Sequence, residues 1–296
     1  MTERIIDLAE EPARLTVRNQ CLVIARGEES EITVPLAETA ALVVSNPRVS
    51  LTQAVLAGLA EAGGIVVICD SRYMPTAMLM PLEAHFAQGE RFELQAQAPL
   101  PLCKRLWQSV VRAKIRAQAR VLRELHGDDG GLVALAPKVR SGDPANVEAE
   151  ASRRYWPLLF ADPGFRRERF VEDQNRLLNY GYAVLRAIMA RAVCAAGLHP
   201  SLGLHHHNRY DAFRLADDLM EPFRPIVDRM VAIYCEAHGP SAPLDKNAKA
   251  VLIGALMGRF AVEGEERTLF DIAARTAASL VAVFAGKRKT LTLPEL

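Results

Sequence analysis

The stretch from His205 to Glu221 concentrates side chains able to do chemistry: His205, His206 and His207 in a row, then Asp217, Asp218 and Glu221. On a helix, residues three and four apart share a face, so either aspartate can stand beside Glu221. Like charges at that spacing repel by about 0.2–0.5 kcal/mol when exposed, and by more when buried without a cation. A solvated acidic face is the plain alternative. Against it, Phe213, Leu215, Leu219 and Met220 are interleaved with the acids, so part of the polar face lies near a core. Pro222 follows Glu221 and cannot donate a hydrogen bond to the carbonyl of Asp218. A kink there would aim Glu221 off the regular helix surface. Three adjacent histidines can cap, pack or ligate. In a loop neighbours point different ways, so at most one or two of them reach a common site.

A further acid, Glu148, stands among small residues, Ala145, Ala149 and Ala151, which allow another helix to pack closely. Glu150 is its local competitor, and an ordinary surface position is the alternative for both. Basic residues supply the context. Between Pro101 and Arg123 stand Lys104, Arg105, Arg112, Lys114, Arg116, Arg120 and Arg123 with no acid among them, whereas a solvated helix mixes signs. Arg153, Arg154, Arg166, Arg167 and Arg169 form a second cluster. Such charges suit phosphate backbones, where neutralisation releases counterions without reading sequence. The competing reading pairs them with the acidic N-terminal part.

Two kinds of element must position these side chains. Leu15–Val17, Cys21–Ala25, Ile32–Leu36, Ala41–Val44 and Ile65–Cys69 are short, branched and punctuated by Gly27, Pro47, Gly63 and Gly64, as strands are. One helix over Leu51–Glu61, with Ser50 as N-cap, interrupts them. The Pro-, Gly- and Gln-containing stretch 86–101 reads as a linker between a domain over 1–85 and one over 102–296. Beyond it the periodicity is helical. Helices are expected over Cys103–His126, from Asp143 and Pro144, over Asp173–Ala196 ending at Gly197, then over Asn208–Glu221, Phe223–His238, Asp245–Met257 and Thr268–Phe284. A loose basic tail with Lys287, Arg288 and Lys289 closes the chain. The expected class is α+β: a small N-terminal β-rich domain followed by a larger all-α C-terminal domain.

Composition excludes several classes. No apolar run is long enough to cross a bilayer, and the N-terminal residues lack the basic-then-apolar order of a signal peptide, so a cytoplasmic protein with no membrane contact is expected. Cys21, Cys69, Cys103, Cys194 and Cys235 are scattered without a CxxC pair, which argues against a disulfide framework or zinc ribbon and suggests small buried residues. The net charge of +1 hides a division: residues 1–98 hold 7 basic against 13 acidic residues, and the remainder 29 against 22. The positive part is where a phosphate-rich partner belongs.

Taken together, these segments resemble the large core protein of CRISPR spacer acquisition, the adaptation integrase, and most of all its type II subgroup. The resemblance is carried by Asn146-Val147-Glu148-Ala149 with Tyr155-Trp156, by Leu178 to Arg186 leading into Ala196-Gly197-Leu198-His199-Pro200, by Leu202 to Tyr210, and by Leu215 to Pro225. It implies a catalytic set of Glu148, His206 and Glu221 holding Mg²⁺ or Mn²⁺, with Asp218 in support behind the ligands. Two carboxylates and an imidazole suit such an ion. It also implies strand transfer, in which a DNA 3′-hydroxyl attacks a phosphodiester of the CRISPR repeat. Lys104, Arg105, Arg112, Lys114, Arg116, Arg120, Arg153 and Arg154 are then expected to track DNA backbone. The resemblance further implies a homodimer made through the N-terminal domain and a complex with a small companion adaptation protein. In type II systems the interference nuclease and an additional adaptation factor can join. Rival readings are a structure-specific metal-dependent nuclease that cuts without joining, a non-catalytic DNA-binding scaffold, and a helical metallohydrolase, against which the basic stretch argues.

Overall fold

The computed structural model describes residues 3–27, 30–70, 75–81, 85–168, 171, 173–206, 208–262 and 264–295. His207 and Arg169 lie outside them. The chain folds as two units, Met1–Gln88 and Gly89–Leu296.

In the first unit, short β-branched runs make strands β1 (Arg4–Leu8), β2 (Arg14–Arg18), β3 (Cys21–Arg26), β4 (Ser30–Pro35), β5 (Thr39–Val44) and β6 (Ser50–Leu51). Helix α1 (Gln53–Glu61), β7 (Ile65–Cys69) and β8 (Pro75–Leu79) follow. Among the described residues the strands form two four-stranded sheets, in the orders β1-β5-β7-β8 and β4-β3-β2-β6. β5 runs parallel to both β1 and β7, while β2, β3 and β4 are antiparallel neighbours. Leu15, Leu22, Leu42, Leu59 and Val66 are among the fully buried residues of their common core. Strands β1, β6 and β8 go beyond the expected set. β1 and β8 place their backbones against β5 and β7, and it is this pairing, not apolar alternation, that makes them strands. Ser50 falls in β6, and Thr52 takes the N-cap position of α1 instead.

The second unit is mostly helical. It comprises α2 (Gln88–Ala96), α3 (Leu100–His126), α4 (Val147–Leu159), α5 (Gln174–Ala195), α6 (Arg214–Met220), α7 (Arg224–His238), α8 (Lys246–Leu256), β9 (Arg259–Val262), β10 (Glu265–Thr268) and α9 (Leu269–Phe284). Helix α5 is buried on nearly every side and packs against α6, α7, α8 and α9. Its ends match their signals: the Asp173 carboxylate accepts from the amide of Asn175, and Gly197 adopts φ +67° just past the C-cap. No helix of the described residues is long and apolar enough to cross a membrane.

Several expectations are corrected. The stretch 86–101 carries a helix, because its polar side chains form bonds within the fold rather than with solvent. The buried amide of Gln95 donates to the carbonyls of His199 and Leu202 and accepts from the His199 amide, and Arg91 donates to the Ala196 carbonyl. The C-terminal part holds an antiparallel hairpin, β9–β10, whose strands are too short for their alternation to show in the sequence. The helix expected from Asn208 starts only at Arg214, since the Asn208 and Asp211 side chains accept from the backbone two residues on and make turns. The basic tail is tied down: Thr276 Oγ1 donates to the Thr292 carbonyl and the Thr292 amide to Ser279 Oγ. Of the cysteines, only Cys194 and Cys235 are buried.

Candidate active site

Glu148 is set at the mouth of α4. Asn146 precedes the helix in the left-handed region, φ 52°, which asparagine tolerates. The Asp143 carboxylate then accepts from the amides of Val147 at 3.0 Å and Glu148 at 2.9 Å. The capping aspartate expected at the helix start thus acts from a turn earlier, and Pro144 lies outside the helix. Tyr155, Ala151 and Leu159 bury the inner face of α4 and leave Glu148 partly open. Arg154 engages the competitor Glu150 at 2.5 Å.

Glu221 stands where Pro222 breaks the hydrogen-bond ladder. Residues Glu221–Phe223 form a 3-10 turn between α6 and α7, the kink that the proline implied. The turn packs on α3 and buries the carboxylate. Arg224 Nε donates to Glu221 Oε1 at 2.9 Å.

Between the two glutamates lies Lys114. Its ammonium is 2.6 Å from Glu148 Oε1 and 2.6 Å from Glu221 Oε2, with 12% of its side chain exposed. Lys114, expected to track DNA backbone, is turned inward, drawn by the two carboxylates. The ammonium is thus shared between the two carboxylates. Burial alone would push the Glu221 carboxyl up; Arg224 and Lys114 overcome it and hold it below the usual carboxylate range. Burial likewise works against the Lys114 ammonium, and Glu221 and Glu148 together raise it above the usual lysine value.

The histidines are sorted by what lies beside each. His206 Nδ1 is 2.5 Å from Asp218 Oδ1. Asp218 is 0% exposed, and its Oδ2 also accepts the amides of Leu204 at 2.6 Å and His205 at 3.0 Å. All partners of this carboxylate are donors, which assigns the proton to His206 Nδ1 and leaves Nε2 as the ring's acceptor. The hydrogen bond to Asp218 is the first cause that raises the affinity of His206 for a second proton; burial opposes it, and the charges of Asp218, Glu221 and Glu148 add to it. Gly203 lets the loop pass this close, since a Cβ there would sit 2.9 Å from Asp218 Oδ2 and from Arg214 Cβ. His205 instead stacks on buried Trp107, with centroids 4.3 Å apart and planes 2° from parallel. Asp217 faces away and takes a two-pronged contact from Arg186 at 2.6 and 2.7 Å. Its carboxyl is pushed up to about 6 by burial, against the pull of Arg186.

Glu148, Lys114 and Glu221 line a cleft of ≈ 810 Å³ together with Arg153, Arg166, Arg167 and Arg224. Its wall is braced by Asp228, which accepts from Tyr155 Oη at 3.0 Å and from Tyr182 Oη. The guanidinium carbons of Arg224 and Arg167 lie 4.4 and 5.3 Å from the centre of the Tyr182 ring. Tyr182 lies in the motif from Leu178 to Arg186 but was given no role there, and Asp228 was not singled out, as a buried Tyr–Asp pair 46 residues apart leaves no local signal. Of the expected DNA-tracking residues, Lys104, Arg105, Arg116, Arg153 and Arg154 are exposed. Arg112 is spent on the carbonyls of Pro137 and Val139, and Arg120 lines a separate hollow beside Pro222 and Phe260.

A hard divalent cation fits this donor set. Two carboxylates already bracket one cationic atom, and an imidazole has its tautomer set by a buried carboxylate. Among the described residues no three His, Cys, Asp or Glu side chains converge closely enough to share one ion; Lys114 is the cation between the two glutamates.

The family model described as CRISPR associated protein Cas1 matches residues 7–239. A CRISPR-associated endonuclease Cas1 of Neisseria meningitidis serogroup C is 35% identical over 292 residues, covering 98% of this chain and 95% of that protein. Among solved structures, a casposase bound to integration product superposes with TM-score 0.75 at 21% identity over 98% of this chain and 92% of that one. A chain of a Cas6-RT-Cas1–Cas2 complex does so with TM-score 0.78 at 21% identity, over 100% of this chain and 36% of that one.

Proposed function

The chain belongs to the CRISPR associated protein Cas1 family, and on that premise we propose that it is a Mg²⁺- or Mn²⁺-dependent DNA integrase of CRISPR adaptation. In this reading it joins the 3′-hydroxyls of spacer DNA to a CRISPR repeat by strand transfer. One observation carries the proposal: the carboxylates of Glu148 and Glu221 bracket a single cationic atom at 2.6 Å each, in a cleft lined by arginines.

Glu148, Glu221 and His206 Nε2 would hold the ion, which supplies Lewis acidity at a phosphoryl oxygen when bound. The rest of the work belongs to side chains of this chain. Asp218 keeps the His206 proton on Nδ1, so that Nε2 stays available. Exposed Arg153 neutralises DNA phosphate at the cleft, Arg166 and Arg167 add positive charge to its lining, and exposed Lys104, Arg105 and Arg116 extend the positive surface along α3. Arg224, locked between Glu221 and the Tyr182 ring, holds the Glu221 carboxylate in place. One P–O bond forms at the attacking 3′-oxygen as another breaks, so the exchange needs orientation and charge neutralisation more than an energy source. The partners follow from the family: a second copy of the chain, and the small Cas2 protein named in the structurally similar complex. A type II interference nuclease and a further adaptation factor are proposed to join them.

The test combines the purified protein and its small companion with a short duplex and a supercoiled repeat-bearing plasmid in Mn²⁺. Strand-joined products are expected for the wild type and are expected to vanish in Glu148→Ala, His206→Ala and Glu221→Ala. Cleavage without joining would favour a plain nuclease. Full activity in all three variants would leave a DNA-binding scaffold and remove this chemistry.

A further inference from the structure

The position of Lys114 goes beyond that assignment, although the inference rests on Glu148 and Glu221 being metal ligands. We propose that Lys114 is a built-in counter-cation: its ammonium occupies the carboxylate pair until DNA phosphate draws it away, so that metal and DNA load the site together.

Three features point to this. First, Lys114 is turned toward the two carboxylates. Lys104, Arg105 and Arg116 on α3 are exposed, whereas Lys114 reaches 2.6 Å from an oxygen of each glutamate. Second, the local charge is already balanced. Glu148 and Glu221 face Lys114 and Arg224 at ion-pair distance, so a divalent ion arriving alone would leave the site strongly positive. Charge in a partly desolvated cleft is costly unless paired. A DNA phosphate brings the missing negative charge, and the same cleft offers Lys114 a place beside it, since Lys114 and exposed Arg153 both line it. Third, the ammonium is shared between two carboxylates, whereas the Arg224 guanidinium donates from Nε to Glu221 Oε1 at 2.9 Å and is also packed over the Tyr182 ring. The ammonium is therefore the replaceable partner and the guanidinium the fixed one. A lysine is a compact charge on a flexible stem and can swing from carboxylate to phosphate without losing its charge.

The test is a Mn²⁺ titration of the full chain followed by electron paramagnetic resonance, with and without duplex DNA. The proteins are wild type, Lys114→Met, Lys114→Arg and Glu148→Gln. The wild type is expected to bind Mn²⁺ weakly alone and at least tenfold more tightly with DNA. Lys114→Met should bind Mn²⁺ alone at least tenfold more tightly than wild type and gain much less from DNA, and Lys114→Arg should stay near wild type. Two carboxylates left without their cation can unfold the Met variant, so the wild type is also probed directly. Acylation of Lys114, read by peptide mass, should rise several-fold at saturating Mn²⁺. Unchanged Mn²⁺ affinity in a folded Lys114→Met, or unchanged acylation at saturation, overturns the proposal. If Glu148→Gln weakens Mn²⁺ binding in the same series, only the role of Lys114 has failed. If Glu148→Gln also leaves it untouched, the metal-centre reading falls with it.

Discussion

Replacing Asp218 by asparagine isolates the role of the least exposed acid in the site. The change keeps size and shape but turns one acceptor oxygen into an NH₂ donor. Every partner of Asp218 is itself a donor: the amides of Leu204 and His205 on Oδ2, and the His206 ring and amide on Oδ1. Asparagine must therefore misplace its NH₂. Turned to the ring, it donates to His206 Nδ1 and moves the imidazole proton to Nε2, the atom proposed to face the metal. Turned to the loop, it confronts two amides at 2.6 and 3.0 Å and breaks the turn that carries His206. A hydrogen bond to a charged group contributes about 1.5–3 kcal/mol, so a loss of about 2 kcal/mol in stability is expected. For a unit of this size that is a fall in Tm of about 4–8 °C. Loss of the orienting carboxylate should weaken metal binding or activity by about 10–100-fold. The assays are thermal unfolding, Mn²⁺ titration in the presence of DNA, and ¹⁵N NMR of the histidine side chain to read the tautomer. A variant that keeps the Nδ1–H tautomer, wild-type Mn²⁺ affinity and strand joining would refute this account of His206.

Further perturbations address other parts of the structure. Burial pushes the Asp228 carboxyl up to about 6, against the hydrogen bonds from Tyr182 and Tyr155. Its protonation therefore favours the folded state: the contribution is fully present below the unfolded value of about 3.9 and is lost as pH rises through about 6. Urea unfolding should show the wild type losing on the order of 3 kcal/mol relative to Asp228→Asn between about pH 4 and 7, and parallel curves would contradict it. Gly203→Ala, which drives a Cβ to 2.9 Å from Asp218 Oδ2, should cost about 1–3 kcal/mol in the same assay. Gly254→Ala, on the exposed side of α8 with nothing within 4 Å, should gain about 0.5–1 kcal/mol, and reversal of the two signs would remove the packing argument. Arg153→Ala should lower the salt slope of DNA binding by about one and weaken binding evenly across sequences. Arg112→Ala, which loses backbone contacts, should cost stability and leave that slope unchanged.

Much of the frame was legible because its signals are local. Asp173 and Gly197 mark the ends of α5 through capping and a left-handed turn, which need only neighbours in sequence. Pro222 announced the break beside Glu221 for the same reason: a missing N–H acts on the carbonyl one turn back. The acidic first unit and basic remainder could be counted directly. So could the motifs that carry the family resemblance.

What the sequence could not decide was where a charged or polar side chain spends its hydrogen bonds. Gln95 looked like linker chemistry and became a buried bracket for the His199–Leu202 loop. Lys114 was one basic residue in a run, and only the approach of α4 and the Glu221 turn made it the cation between two carboxylates. The choice among adjacent histidines, and between Asp217 and Asp218, was likewise made by distant partners: Trp107 for His205, Asp218 for His206, Arg186 for Asp217. Sequence by itself determined most of the long helices, the break at Pro222 and the stock of ligands, because propensity, capping and proline act within a turn. Tertiary structure alone decided which ligand faces which, because pairing of buried charges depends on contacts between segments tens of residues apart, and removal from water penalises every arrangement that leaves one unpaired.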